Sequence, residues 1–153
     1  MKKRGLIVLM LSMCAVSAWA TKYQVGPGRS YATLSSVASL LNPGDSVEVD
    51  GNANYNHVYF GRSGTATNRI TIRGIRVNGN RPVINEAYTY GANFEADYYN
   101  FEGFTITGST KAGIGVFGNE ITISDCVIHG IANGIMGYGR SEERRVGKEC
   151  TIQ

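Results

Sequence analysis

From Asn42 to Gly139 the apolar residues fall in alternating runs of three to five positions, and each run breaks at Gly or Asn. Alternation at period two marks a strand with one buried face. The residue types agree, because this stretch holds eleven Ile and seven Val but no Leu, a bias toward strands that argues against a leucine-rich repeat of similar period. The runs also recur. "YNFEGFTITG" (Tyr99 to Gly108) lies over "ITISDCVIHG" (Ile121 to Gly130) at an offset of twenty-two, so Phe101 meets Ile123, Phe104 meets Cys126, Ile106 meets Ile128 and Gly108 meets Gly130. "AGIGVFG" from Ala112 and "NGIMGYG" from Asn133 follow at twenty-one, the connecting turn being one residue shorter. A looser copy begins at "ITIRGIRVNG" (Ile70 to Gly79), and Val47-Glu48-Val49 opens one before it.

No copy leaves room for a crossover helix, so strands of successive copies must pair with one another. A segment of three to five residues buries no face alone, but stacked coils bring inward Ile, Val and Phe into register and satisfy the backbone through parallel ladders about 4.8 Å apart. The predicted fold is therefore all-β, a right-handed parallel β-helix of coils of about twenty-two residues. Asn78, Asn80, Asn119 and Asn133 fall at bends, where a left-handed backbone or a side-chain hydrogen bond to the next coil is expected. The first coil needs a cover, since an open end exposes apolar side chains and strand edges. "TLSSVASLLNPGD" predicts a short amphipathic capping helix: Thr33 as N-cap, Leu34, Val37, Ala38 and Leu41 on one face, and Asn42-Pro43-Gly44 as its stop. Before it, Tyr23-Gln24-Val25 reads as a strand and Gly26-Pro27-Gly28 as a turn.

The two ends change the picture of charge. Residues 1–20 have the three parts of a secretory signal: Lys2, Lys3 and Arg4, an apolar run from Leu6 to Ala15, and Ala18-Trp19-Ala20 as a cleavage site. The run is too short for a membrane span, and the expected location is secreted, extracellular or periplasmic. At the other end "RSEERRVGKEC" (residues 140–150) matches a common short-read sequencing adapter translated in one frame. Residues 140–153 are thus expected to be a non-native tail, and 21–139 the N-terminal part of a β-helix whose closing end is missing. Of the chain's fifteen Lys and Arg, three lie in the signal and four in the tail, which leaves eight against nine acidic residues from Thr21 to Gly139. A near-neutral domain gives no argument for nucleic acid or for an anionic membrane. Cys126 is the one cysteine left between the ends, and its apolar flanks predict a buried thiol.

"YQVGPGRSYATLSSVASLLNPGDSVEVDG", followed by "RSGTATNRITIRG" and "NRPVI", resembles the opening of secreted bacterial right-handed parallel β-helix proteins of the pectate-lyase-like superfamily. The resemblance runs from Tyr23 to Gly139. It implies a polysaccharide partner and, if the protein is an enzyme, a lyase that cleaves uronate-containing polymer by β-elimination. Calcium and a Lys or Arg base would accompany that reaction. The alternative is a non-catalytic carbohydrate-binding or cell-surface module. No catalytic motif of the superfamily is matched, so catalytic and metal residues stay unassigned, and active residues are expected downstream of Gly139.

Lys22 and Lys111 are the only lysines from Thr21 to Gly139, and "GSTKAG" puts Lys111 in a turn that could reach an outer groove but more readily stays solvated. Glu102 and Asp125 are the calcium candidates, yet under the offset they align with Ser124 and Gly103, so they form no carboxylate ladder and read as surface residues. Arg69, Arg73, Arg76 and Arg81 form a loose basic group, with Arg69 and Arg73 on one face by parity. The aromatic run from Tyr88 to Phe101 could stack on sugars or fill the coil interior. His57 and His129 read as structural. Gly113 to Gly118 matches a dinucleotide-binding glycine pattern, but the helix that motif requires does not follow.

Overall fold

The computed structural model describes residues 20–137, 145–146 and 151–152. Residues 1–19, where the signal is expected, and most of residues 140–153 lie outside the described residues. Strand β1 (Lys22–Val25) precedes helix α1 (Leu34–Ala38), and the first full coil follows as β2 (Ser46–Asp50), β3 (Asn54–Tyr55) and β4 (Val58–Phe60). Three more repeat the order: β5 (Ile70–Ile75), β6 (Val83–Asn85) and β7 (Tyr90–Phe94); β8 (Tyr99–Glu102), β9 (Thr105–Thr107) and β10 (Ala112–Val116); β11 (Ile121–Ser124), β12 (Val127–Ile128) and β13 (Ile135–Gly137). Strands β14 (Arg145–Val146) and β15 (Thr151–Ile152) add to two of the sheets.

All named pairings are parallel, and they sort the strands into three sheets that form the walls of a tube. Sheet A runs β1-β2-β5-β8-β11-β14, sheet B runs β15-β12-β9-β6-β3, and sheet C runs β13-β10-β7-β4. This is the predicted right-handed parallel β-helix, in which the rest of each coil serves as the crossover that a parallel pair needs.

Register places like on like. Tyr23, Val47, Ile72, Phe101 and Ile123 form one column of sheet A, and Tyr55, Ile84, Ile106 and Ile128 one column of sheet B. In sheet C Phe60 lies on Phe94 with ring centroids 4.8 Å apart and planes 19° off parallel. Most of these side chains are fully buried, and each large one contributes about 1.5–3 kcal/mol by leaving water. The aligned pairs of the sequence are register partners here, Phe101 on Ile123 and Ile106 on Ile128 at twenty-two, Ile114 on Ile135 at twenty-one. Earlier coils are longer. Val47 pairs with Ile72 and Ile72 with Phe101, offsets of twenty-five and twenty-nine, because loops 61–69 and 76–82 are inserted between strands.

Corners carry the same period. Gly103 and Asp125 have φ of +84° and +47°, Gly108 and Gly130 of +78° and +67°, and Tyr98 and Glu120 of +62° and +56°. Asn78 is likewise left-handed at +51°. The other three bend asparagines reach a neighbouring coil: Asn80 to Asn52, Asn119 to Asp97, and Asn133 to the Lys111 carbonyl at 2.9 Å.

Helix α1 closes the top as predicted, but it ends at Ala38 with Ser39 as its C-cap, before Leu41 and the Asn42-Pro43-Gly44 stop. Thr33 Oγ1 accepts from the Ser36 amide, and Leu34, Val37, Ala38 and Leu41 are buried over the first coil. Beneath it Asp45, also buried, accepts from the amides of Thr21 and Asn42 at 2.7 and 2.8 Å. That carboxylate fixes β1 and the helix exit together.

Candidate functional site

The outward faces decide where chemistry can sit. On sheet A the outward charges neutralise one another along the tube: Lys22 pairs with Glu48 at 2.6 Å, Arg29 with Asp50 at 2.6 Å, and Arg73 with its register partner Glu102. Arg69 spans two coils, donating to Asn100 Oδ1, to the carbonyls of Tyr99 and Glu120, and to Thr122 Oγ1. Arg81 donates to the carbonyl and carboxylate of Asp125, with Arg76 4.0 Å from the same carboxylate. Hydrogen bonding to Arg81 holds the Asp125 carboxyl below its usual range. The four arginines of the loose basic group are therefore ties between coils: Glu102 partners Arg73, Asp125 partners Arg76 and Arg81, and Glu120 lies 3.4 Å from Arg69.

Calcium finds no fit there. Among the described residues no three His, Cys, Asp or Glu side chains come together, and both calcium candidates face guanidinium groups. Cys126 is a buried thiol directed at the Ser124 carbonyl, 3.3 Å away. Gly113–Gly118 is the strand β10 and the bend after it, with no helix behind it. His129 is an exposed turn residue.

Sheet C differs. Its outward column in register is Tyr59, Asn93, Gly115 and Met136. Tyr59 alternates with buried Val58 and Phe60, so its ring must point to solvent, where it is 56% exposed. Beyond it the column becomes a trough. Gly115 bears no side chain, and a Cβ there would meet the Tyr90 ring and Asn93 Oδ1 at 2.9 Å. Tyr90 packs edge-on against Phe117, centroids 5.6 Å apart, and the Lys111 ammonium sits 5.6 Å above the Tyr90 ring. The aromatic run thus divides, with Phe94, Tyr99 and Phe101 lining the interior and Tyr88 51% exposed.

At the upper end of this face lies a cavity of about 380 Å³ between α1 and β4, lined by Ser35, Ala38, Ser39, His57, Tyr59, Gly61 and Arg62. His57 borders it and is clamped from the next coil. Its ring stacks on Tyr88 at 3.8 Å and 12°, and its Nδ1 and backbone amide lie 2.5 and 2.8 Å from Glu86 Oε2. These bonds hold the Glu86 carboxyl below its usual value. Arg62 is fixed at both ends. Its Nε donates to the Leu41 carbonyl at 2.6 Å and its Nη2 to Asn42 Oδ1 at 3.0 Å, while its own carbonyl accepts from the buried Tyr99 hydroxyl. Among the described residues no carboxylate pairs with it.

Sequence reasoning missed this group. His57 reads as structural, and Tyr59 and Arg62 carry no motif, because the group is assembled by register from positions as far apart in the chain as Ser35 and Tyr88. One signal was present: a large aromatic at the outward position of a Val-Tyr-Phe strand.

The comparisons follow the fold. No protein-family model matches the chain, and no curated protein matches it. Among solved structures it is similar to an alginate lyase from Paenibacillus sp. str. FPU-7, with TM-score 0.61 and 25% identity over 70% of this chain and 40% of that one. It is also similar to pectate lyase Pel9A, with TM-score 0.60 and 18% identity over 88% of this chain and 38% of that one. A third match is the GH136 lacto-N-biosidase from Eubacterium ramulus, with TM-score 0.62 and 16% identity over 81% and 31%. The chain spans between about a third and two fifths of the length of these structures. They share its parallel β-helix, and among the described residues no helix is long and apolar enough to cross a membrane.

Proposed function

We propose that the chain belongs to a secreted, polysaccharide-active β-helix protein, a lyase that cleaves uronate-containing polymer by β-elimination. The observation that carries this reading is the likeness to an alginate lyase at 25% identity over 70% of the chain. In such a reaction a base takes the proton beside the uronate carboxylate, the glycosidic C–O bond breaks with its electrons leaving on oxygen, and a double bond forms in the ring. A positive group opposite the carboxylate stabilises the charge that develops. No described residue is assigned the base.

A non-catalytic carbohydrate-binding module is the second reading. What favours it is the pairing of the sheet A carboxylates with basic groups, beside the exposed Tyr59 ring on the outward side of sheet C. Incubating the protein with alginate and with pectin, and following the ultraviolet absorbance of unsaturated uronate with and without a calcium chelator, separates the two. Rising absorbance supports the lyase. A flat trace with polymer retained on the protein supports binding alone.

A further inference from the structure

We propose that the cavity between α1 and β4 is a subsite for a single carboxylated sugar unit, whose ring lies on Tyr59 and whose carboxylate meets Arg62; this rests on the uronate-polymer reading above. Three observations converge. Tyr59 offers a flat apolar face at the cavity rim, turned outward by strand parity and 56% exposed, and sugar rings present an apolar face of C–H groups that such a ring desolvates. Arg62 brings a positive charge with no carboxylate partner among the described residues. Two of its nitrogens are held by Leu41 and Asn42, leaving Nη1 for a ligand. A guanidinium held this way has already lost its rotamer freedom, which lowers the cost of binding.

The third observation is what surrounds them. Ser35, Ser39 and Ala38 give a lining that is mainly apolar with a few hydroxyls, and Ser35 Oγ donates to the His57 carbonyl at 3.2 Å. His57 is a positioning residue: its stack on Tyr88 and its bonds to Glu86 hold the cavity wall across two coils. A neutral sugar would leave Arg62 unanswered, and an inorganic anion would leave Tyr59 uncovered. A uronate answers both.

The test titrates the full chain with oligomers of mannuronate or galacturonate, and with the same oligomers reduced at the carboxyl, by calorimetry and by NMR of the tyrosine ring protons. The Tyr59 ring signals should shift on binding. Tyr59→Ala should weaken acidic oligomers on the order of tenfold, the cost of losing an aromatic anchor, and leave the melting temperature in place because the ring points to solvent. Arg62→Lys keeps the charge but loses the fork, and should weaken acidic oligomers severalfold while leaving the reduced ones unchanged.

Uronate oligomers that bind or are cleaved alike by wild type and both variants, with Tyr59 signals unmoved, overturn the subsite and leave the function standing. Reduced oligomers that bind as tightly as acidic ones, still through Tyr59, overturn the carboxylate partner. No binding and no cleavage of any uronate oligomer overturns both proposals.

Discussion

At the scale of single residues the tube is a problem of space, and its glycines show where space has run out. Gly91 and Gly113 sit twenty-two apart at the corner entering sheet C, where a Cβ would lie 2.7 Å from Ile106 Cγ2 and 2.6 Å from Ile128 Cγ2. Each obstructing methyl belongs to the coil below. Both isoleucines are buried in the interior and cannot withdraw, so Gly113→Ala should destabilise the protein by about 1–3 kcal/mol through overpacking. Gly28 gives the contrast. Its φ is +75°, and a methyl added there would meet nothing within 4 Å, so Gly28→Ala should cost only the left-handed strain, about 1–2 kcal/mol. Urea unfolding of the two variants checks the mechanism, because replacing Ile128 by Leu, which has no β-branch methyl, should recover part of the loss in Gly113→Ala and none in Gly28→Ala.

Between elements, ties that skip a coil matter as much as the ladders. Arg81 precedes β6, and its partner Asp125 follows β11, two coils on. The equivalent corner of the coil between is Gly103, which has no side chain to block the reach. Asp125 is held below its ordinary value of 3.8, first by its hydrogen bond to Arg81. A depressed carboxyl contributes stability that is present above its unfolded value and lost as pH falls through the folded one. With Asp125 43% exposed, solvent screening limits the contribution to about 1 kcal/mol or less. Asp125→Asn, which tolerates the left-handed backbone, should therefore melt below wild type at neutral pH, with the gap closing as pH falls below the ordinary carboxyl value of 3.8; parallel melting curves across that range would contradict the assignment. What was legible in the sequence follows the same logic. The period of twenty-two showed between β8 and β12 because no loop interrupts those coils, and the cap showed because Leu34, Val37, Ala38 and Leu41 carry helical spacing to an Asn-Pro-Gly stop. The arginine ties and the sheet C cavity did not show, since their partners come together only once the loops 61–69 and 76–82 have fixed the register.

For the whole molecule, a stack of coils whose strands pair with the coils on either side, with a few arginine ties reaching one coil further, is close to a one-dimensional system, and its energetics should be read as interfaces in series. Phe60 and Phe94 stack at 4.8 Å, and Phe94 meets Tyr99 and Phe101 of the next coil at 5.3 and 5.4 Å, so an aromatic seam runs through three successive coils. Removing Phe60 leaves Phe94 beside a void that its own removal would partly share. The pair Phe60→Leu and Phe94→Leu should accordingly be non-additive by about 0.5–3 kcal/mol, whereas Val37→Ala in the cap with Ile128→Val in the fourth coil should add to within about 0.5 kcal/mol. Denaturant titrations of the singles and doubles measure both cycles. Strong coupling of the distant pair would mean that packing changes are passed from coil to coil through the folded tube, and the cap could then sense a polymer bound anywhere along it. Near-zero coupling there confines a ligand at the α1–β4 cavity to the cap and the first coils, so the cap end can recognise a sugar without disturbing the sheets beneath it.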